Sequence, residues 1–233
     1  FTYYAREQNG LRSGLLDLPE DIIISIKNVP QDYYPTFPHN PLIGNTGKHE
    51  QWIEYEVMGE YFGWGVNPCI VLDDIKDRMK YCLDKGASGF TARIDWEALP
   101  NHSCFETQNL LNLYGIAHLA MNPDLPVKDI YYRWLQEEGL LAEGLDPQKL
   151  NRTIEWVMEI FQRTWPAMSK APYMNGFLFC NNSKIPVSIE NGDFLSREHH
   201  GIQKWFPEKV SLFDQNDKNV AHMLEERDQG VQE

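Results

Sequence analysis

The sequence is poor in the features that specify several common protein classes. Cysteine occurs four times in 233 residues, as Cys69, Cys82, Cys104 and Cys180. There is no C-x-x-C pair and no Cys/His spacing of a zinc site. So sparse a set excludes a disulfide scaffold and fits reduced, buried thiols. Long apolar runs are missing: the isoleucines 22–24 with Ile26 fall far short of the about 20 residues that span a bilayer. Cations are in deficit, with 21 Lys and Arg against 34 Asp and Glu, a net charge of −13. That balance argues against nucleic acid, whose backbone needs a basic face, and against an anionic membrane surface. His199 and His200 beside Glu198 are adjacent in sequence, a geometry that does not converge on a metal; no metal or organic cofactor is implied. The chain opens on Phe1-Thr2-Tyr3-Tyr4 with no Met or signal peptide. It reads there as a strand already under way, so it is expected to be part of something longer. Its compartment, cytoplasmic or exported, is not legible.

What is present is an ordinary globular composition, 42% hydrophobic and 24% charged, in a chain long enough to bury a core without staples. Aromatic residues are plentiful, with 7 Trp, 11 Tyr and 11 Phe. They serve either a well-filled core or the stacking of sugar rings, whose C–H faces suit an aromatic ring. No repeat or low-complexity tract occurs.

Hydrophobic patterning divides the chain in two. Ile22 to Ile26 predicts a strand buried on both faces, stopped by Pro30. A breaker-rich loop follows, with Pro35, Pro38, Pro41, Gly44 and Gly47. A strand over Gln51–Met58, a helix over Asp73–Leu83, a strand over Gly89–Asp95 and helices over Thr107–Ala120 and Val127–Glu138 complete the first part. Strand, loop, helix, strand is the grammar of a parallel α/β fold, whose working face lies past the C-terminal strand ends. From about residue 146 the pattern turns helical. Asp146-Pro147 starts an amphipathic helix to Arg163 with a stripe of Leu150, Ile154, Val157, Met158 and Phe161. A further helix is predicted over Asp214–Arg227, before a frayed tail. The expected division is therefore 1–145 and 146–233.

Two acids fall where chemistry is expected. Asp32 follows the first buried strand, among Pro30, Tyr33, Tyr34 and Pro35, and Glu60 follows the next strand. On adjacent barrel strands they meet at one mouth, and paired carboxylates amid aromatic rings suit glycoside hydrolysis. By themselves such acids equally cap loops or face solvent. Trp64 is either a sugar platform or a packing residue. Arg93, Asp95 and Glu97 alternate on one strand face, as an internal ion cluster or as substrate contacts.

The motifs around these residues resemble the α-glucuronidases of glycoside hydrolase family 67. Lys27-Asn28-Val29-Pro30-Gln31-Asp32-Tyr33 is similar to the family's Lys-Asn-Gly-Pro-x-Asp-Phe, with Val29 in place of glycine. Pro41-Leu42-Ile43-Gly44 matches Pro-Leu-Phe-Gly. The stretch Ile53-Glu54-Tyr55-Glu56-Val57-Met58-Gly59-Glu60-Tyr61 matches the next family strand, with Cys69 in register. Asn112-Leu113-Tyr114-Gly115 and Asn122-Pro123-Asp124-Leu125 match two later segments. The resemblance covers residues 22–135. It implies an α/β fold, the later strands of a (β/α)8 TIM-type barrel followed by a mainly helical C-terminal region. It also implies inverting hydrolysis of the α-1,2 bond between glucuronic acid, or its 4-O-methyl ether, and a xylo-oligosaccharide. Asp32 and Glu60 fall on the two carboxylates that position and deprotonate the attacking water. Lys27 falls on a lysine that binds the uronate, and Tyr33, at the motif's phenylalanine, is expected to contact substrate. The family's general acid and a uronate-binding arginine fall before Phe1, while Arg93, Asp95 and Glu97 have no family counterpart. Thr36-Phe37-Pro38 replaces the family's Arg-Glu-Pro. Relatives pair through their C-terminal helices, so the expected partners are an oligosaccharide substrate and a second copy of the chain.

Overall fold

A computed structural model of the chain describes residues 18–29, 38–58, 67–94 and 103–170, the single residues Gly14 and Pro35, and two short strands at 173–174 and 177–178. Three strands form a parallel sheet in the order β1-β2-β3: β1 is Ile24–Lys27, β2 is Gln51–Glu56 and β3 is Ala87–Arg93. Both pairings are parallel, with Ile26 beside Ile53 and Ile53 beside Phe90. Helix α1, Leu72–Asp84, connects β2 to β3, and Gly86 at φ 85° supplies the left-handed turn into β3. A 3-10 turn at Cys104–Glu106 leads to α2, Leu110–Met121, then α3, Val127–Glu137, α4, Pro147–Gln162, and α5, Thr164–Lys170. A short antiparallel pair follows: β4 at Tyr173–Met174 and β5 at Phe177–Leu178. The architecture is mixed α/β.

Strand alternation and register sort the side chains onto two faces. Ile24, Ile26, Ile53, Tyr55, Phe90 and Ala92 share the face turned to the helices. There Tyr55 meets the Cys82 sulfur at 4.0 Å and Phe90 at 6.0 Å between ring centres. Ser25, Lys27, Trp52, Glu54, Glu56, Gly89, Thr91 and Arg93 share the other. The indole of Trp52 lies over Gly89, where a Cβ would stand 2.7 Å from its nitrogen.

Leu72, Ile75, Met79 and Cys82 form the buried stripe of α1 at helical spacing. Asp73 and Asp74 occupy its first turn, where acids complement the helix dipole. Asp74 also binds the buried Arg78 at 2.6 Å. Three described cysteines, Cys69, Cys82 and Cys104, are free and buried. Burial pushes the Cys69 thiol well up and the Cys82 thiol up to about 11, so both are apolar filler.

The predicted start of α4 is realised: Asp146 Oδ1 accepts from the backbone N–H groups of Gln148 and Lys149, with Pro147 in the first turn. Its predicted stripe packs inside the chain. Ile154 is buried and Phe161 contacts the rings of Tyr131 and Trp134 on α3.

Other expectations shift. The strand predicted from Ile22 begins at Ile24, and it is not buried on both faces. Ile22 and Ile23 are about 40% exposed, at 39% and 41%, Ser25 is exposed, and Ile26 alone is in the core. Only one side of the sheet has a helix layer among the described residues, so a β-branched run alone does not enforce two-sided burial. The strand predicted from Gly89 to Asp95 runs from Ala87 to Arg93, because Gly86 has already made the turn. The helix predicted from Thr107 starts at Leu110, after the 3-10 turn at Cys104–Glu106. The helix predicted over Asp214–Arg227 lies outside the described residues. None of the described helices is long and apolar enough to cross a membrane.

Candidate active site

The last residues of the three strands are Lys27, Glu56 and Arg93. All three are charged, and register places them on the same face of the sheet, the one turned away from the helices. Lys27 pairs in register with Glu54 and Arg93 with Glu56, so the face carries two cations and two carboxylates at the C-terminal edge. In a parallel sheet this is the edge where ligands bind. Arg93 Nε stands 3.6 Å from Glu56 Oε1. The Glu56 side chain is only 1% exposed and that of Arg93 27%. The separation is that of an ion pair and too long for a direct hydrogen bond.

The strand exits are pinned. Asn28 N–H donates to the Glu54 carbonyl at 3.0 Å, and the Asn28 carbonyl accepts from Asn40 N–H. Val57 N–H donates to the Arg93 carbonyl at 3.1 Å, and Cys104 N–H to the Ile94 carbonyl at 2.8 Å. Val29, Val57 and Met58 are fully buried. Because β1 and β2 are parallel neighbours, their exits lie at one edge. Asp32 is the third residue after Val29 and Glu60 the second after Met58.

The return from that edge is clamped by side chains. Three consecutive backbone N–H groups ahead of α1 are taken one each: Cys69 by Asn109 Oδ1 at 2.8 Å, Ile70 by Thr164 Oγ1 at 2.8 Å, and Val71 by Asn112 Oδ1 at 3.0 Å. The amides also give back. Asn112 Nδ2 donates to the Cys69 carbonyl at 2.8 Å and Asn109 Nδ2 to the Asn67 carbonyl at 3.1 Å. Both asparagines are fully buried. Gly115, one turn on from Asn112, lets α2 lie against Leu72, whose Cδ2 would collide with a Cβ there. The Asn112 to Gly115 motif therefore acts through packing: it fixes the segment that leads into α1.

Of the residues singled out from sequence, Lys27 and Arg93 are described, at the ends of β1 and β3 and on one face. Asp32, Tyr33, Glu60, Trp64 and Asp95 lie outside the described residues. The strand carrying Arg93 is Ala87–Arg93, and Glu97, expected with Asp95 on its face, also lies outside the described residues. The described partner of Arg93 is Glu56 on the neighbouring strand, which sequence reasoning passed over. The signal was available: in β2 the alternation sets Glu54 and Glu56 apart from Ile53 and Tyr55. Asn109 and Thr164 were also passed over, since side chains that bond backbone 40 and 94 residues away leave no local pattern.

Among the described residues no cluster of His, Cys, Asp or Glu is arranged to hold a metal ion. An apolar groove of about 490 Å³ opens between the 3-10 turn and helices α2 to α4, lined by Phe105, Leu110, Trp134, Leu135, Val157 and Phe161 among others. None of the residues at the strand ends lines it.

No protein-family model matches the chain. It is 24% identical over 176 residues to the probable alpha-glucuronidase A of Aspergillus clavatus, covering 64% of this chain and 19% of that protein. It is 25% identical over 171 residues to the probable alpha-glucuronidase A of Aspergillus fumigatus, with the same shares covered. The chain thus spans 19% of the length of the curated relatives it matches. The similarity supports a distant, glucuronidase-like relationship and suggests a function of the glycoside-hydrolase kind.

Proposed function

We propose that the chain forms the later strands of a (β/α)8 barrel, with 146–233 as its mainly helical C-terminal region, in an inverting glycoside hydrolase. The substrate is an α-1,2-linked glucuronic acid, or its 4-O-methyl ether, on a xylo-oligosaccharide. The observation that carries the reading is the common edge at which β1 and β2 leave the sheet, directly ahead of Asp32 and Glu60. The face carrying Lys27, Glu54, Glu56 and Arg93, polar where the opposite face is apolar, suits the inside of a barrel near its mouth.

In this reading Asp32 and Glu60 hold a water on one side of the sugar, and one of them takes its proton as the oxygen attacks the anomeric carbon. The leaving oxygen is protonated from the opposite side by an acid contributed by another part of the barrel. Inversion needs room for that water, and acid and base carboxyls in such enzymes stand about 6.5–9.5 Å apart. Lys27 supplies a compact positive charge for the uronate carboxylate, with Tyr33, Trp64 and Asp95 lining the sugar. The C-terminal helices offer the surface for a homodimer.

The test is hydrolysis of aldouronic oligosaccharides by the native full-length protein carrying Asp32→Asn or Glu60→Gln. Each is expected to lower turnover by about 10²–10⁴-fold with an unchanged circular dichroism spectrum, and the first anomer released by the wild type should be the inverted one. Turnover that survives both substitutions removes the assignment. A second reading, a non-catalytic carbohydrate binder on the same barrel, is favoured by the departures from the family's motifs at Val29 and at Thr36-Phe37-Pro38. Saturable binding without product by the full-length protein would select it. Arg93 and Asp95, which lack family counterparts, favour in turn a different sugar specificity, and a product screen across uronides and neutral glycosides separates the two.

A further inference from the structure

We propose that Glu56 is a positioning residue. It holds the Arg93 guanidinium at the mouth end of the sheet, where Arg93 receives the carboxylate of an acidic sugar. The inference rests on the reading above, and it adds to Lys27 a second cation and the acid that aims it.

A carboxylate that is 1% exposed at the end of a strand is costly to bury and weak as a source of stability. A hydrophobic side chain of the same size would pack there more cheaply. Arg93, 3.6 Å away, compensates the charge, and register holds the two backbones side by side. The exit of β2 is itself tied to Arg93, through the bond from Val57 N–H to its carbonyl. The pair is thus fixed by backbone and charge together. The Arg93 side chain remains partly accessible while that of Glu56 is covered. The cation is the more accessible partner, as a group that meets a ligand must be.

Location selects the ligand class. Lys27 ends β1 on the same face, two strands from Arg93. A chain of net charge −13 thus ends two of the three described parallel strands with cations on one face. Arginine only donates hydrogen bonds, in a planar fork matched to a carboxylate. An acidic sugar supplies that group, and its neutral counterpart does not.

Titration of the native full-length protein with sodium D-glucuronate and with D-glucose, followed by NMR, tests the pair. Arg93→Gln is expected to weaken glucuronate binding by about tenfold or more, the scale of a lost charge-assisted bond, and to leave glucose binding unchanged. Arg93→Lys should recover part of the loss. Glu56→Gln should weaken glucuronate binding alone, and Glu56→Gln with Arg93→Gln should be no worse than Arg93→Gln, since a support has nothing to aim once its arginine is gone. Equal glucuronate binding in Arg93→Gln, parallel loss of glucose, additive losses in the double variant, or a wild type that does not prefer glucuronate would each overturn the proposal. If Glu56→Gln fails to fold, Glu56→Asp, which keeps the charge and shortens its reach, takes its place, and glucuronate binding equal to wild type in that variant would overturn the positioning role. The hydrolytic reading fails separately: a wild type that binds glucuronate through Arg93 but releases no product keeps this inference and loses that one.

Discussion

On the side of the sheet that meets α1, Ile26, Ile53 and Tyr55 are buried against Met79 and Cys82. On the other side the same strands carry Lys27, Trp52, Glu54, Glu56 and Arg93, and Trp52 is 37% exposed. Residues that alternate along one strand therefore obey different rules. The helix-covered side is close-packed, and the buried asparagines beside it exchange hydrogen bonds with the backbone they touch. The other side holds charges at its end that packing does not require. Stability resides on one face and the candidate chemistry on the other, joined through strands too short to move independently.

The largest effect expected on the packed side is that of Asn112→Ala. It strands the Val71 N–H and the Cys69 carbonyl, both bonded to its amide. Each buried orphan costs about 1–3 kcal/mol, so a loss of about 2–6 kcal/mol is expected in urea unfolding. A loss under about 1 kcal/mol would mean that the clamp is not what fixes this segment. Glycine substitutions sharpen the contrast. Gly115→Ala drives a Cβ into Leu72 in the core and should cost about 1–3 kcal/mol. Gly89→Ala meets the half-exposed Trp52 ring, which can swing toward the open side, and should cost about 0.5 kcal/mol. Equal melting temperatures for the two variants would erase the distinction between the faces.

The smallest effect concerns His39, stacked on Tyr81 at 3.8 Å between ring centres with planes 6° apart. Burial, and then the Arg78 guanidinium, lower its pKa below the usual 6.5. The folded state therefore favours neutral imidazole. Its contribution to stability is full above the unfolded value of 6.5 and is lost as the pH falls from there through the lowered folded value. Melting temperatures measured between pH 7 and pH 5 should fall less in His39→Phe, which keeps the stacking and removes the titration. Identical slopes would show that the ring is not desolvated.

Much of the architecture was legible because it follows from local chemistry. The β2, α1, β3 succession, the start of α4 at Asp146-Pro147 and the burial of the three described cysteines came from periodicity, capping and composition. Lys27 was placed at a strand end by the same means. Less legible were the features set by distant partners. Ile22 and Ile23 read as buried strand because β-branched runs usually are, yet burial depends on a covering layer that sequence does not reveal. Glu56 was overlooked inside an otherwise well-patterned strand, since its meaning comes from Arg93, 37 residues on. Asn112 and Gly115 were visible as motif residues, but their work on residues 69–72 was not.

The sequence by itself determined which stretches are helix and strand, because side-chain period and capping act within a few residues. It also determined that the two acids follow successive strands. Tertiary structure decided which strands lie side by side and which face each residue takes. It brought Lys27, Glu56 and Arg93 to one side of one edge and gave the backbone ahead of α1 its partners. Those outcomes depend on register and on contacts made across tens of residues, where distance in space and distance along the chain no longer correspond.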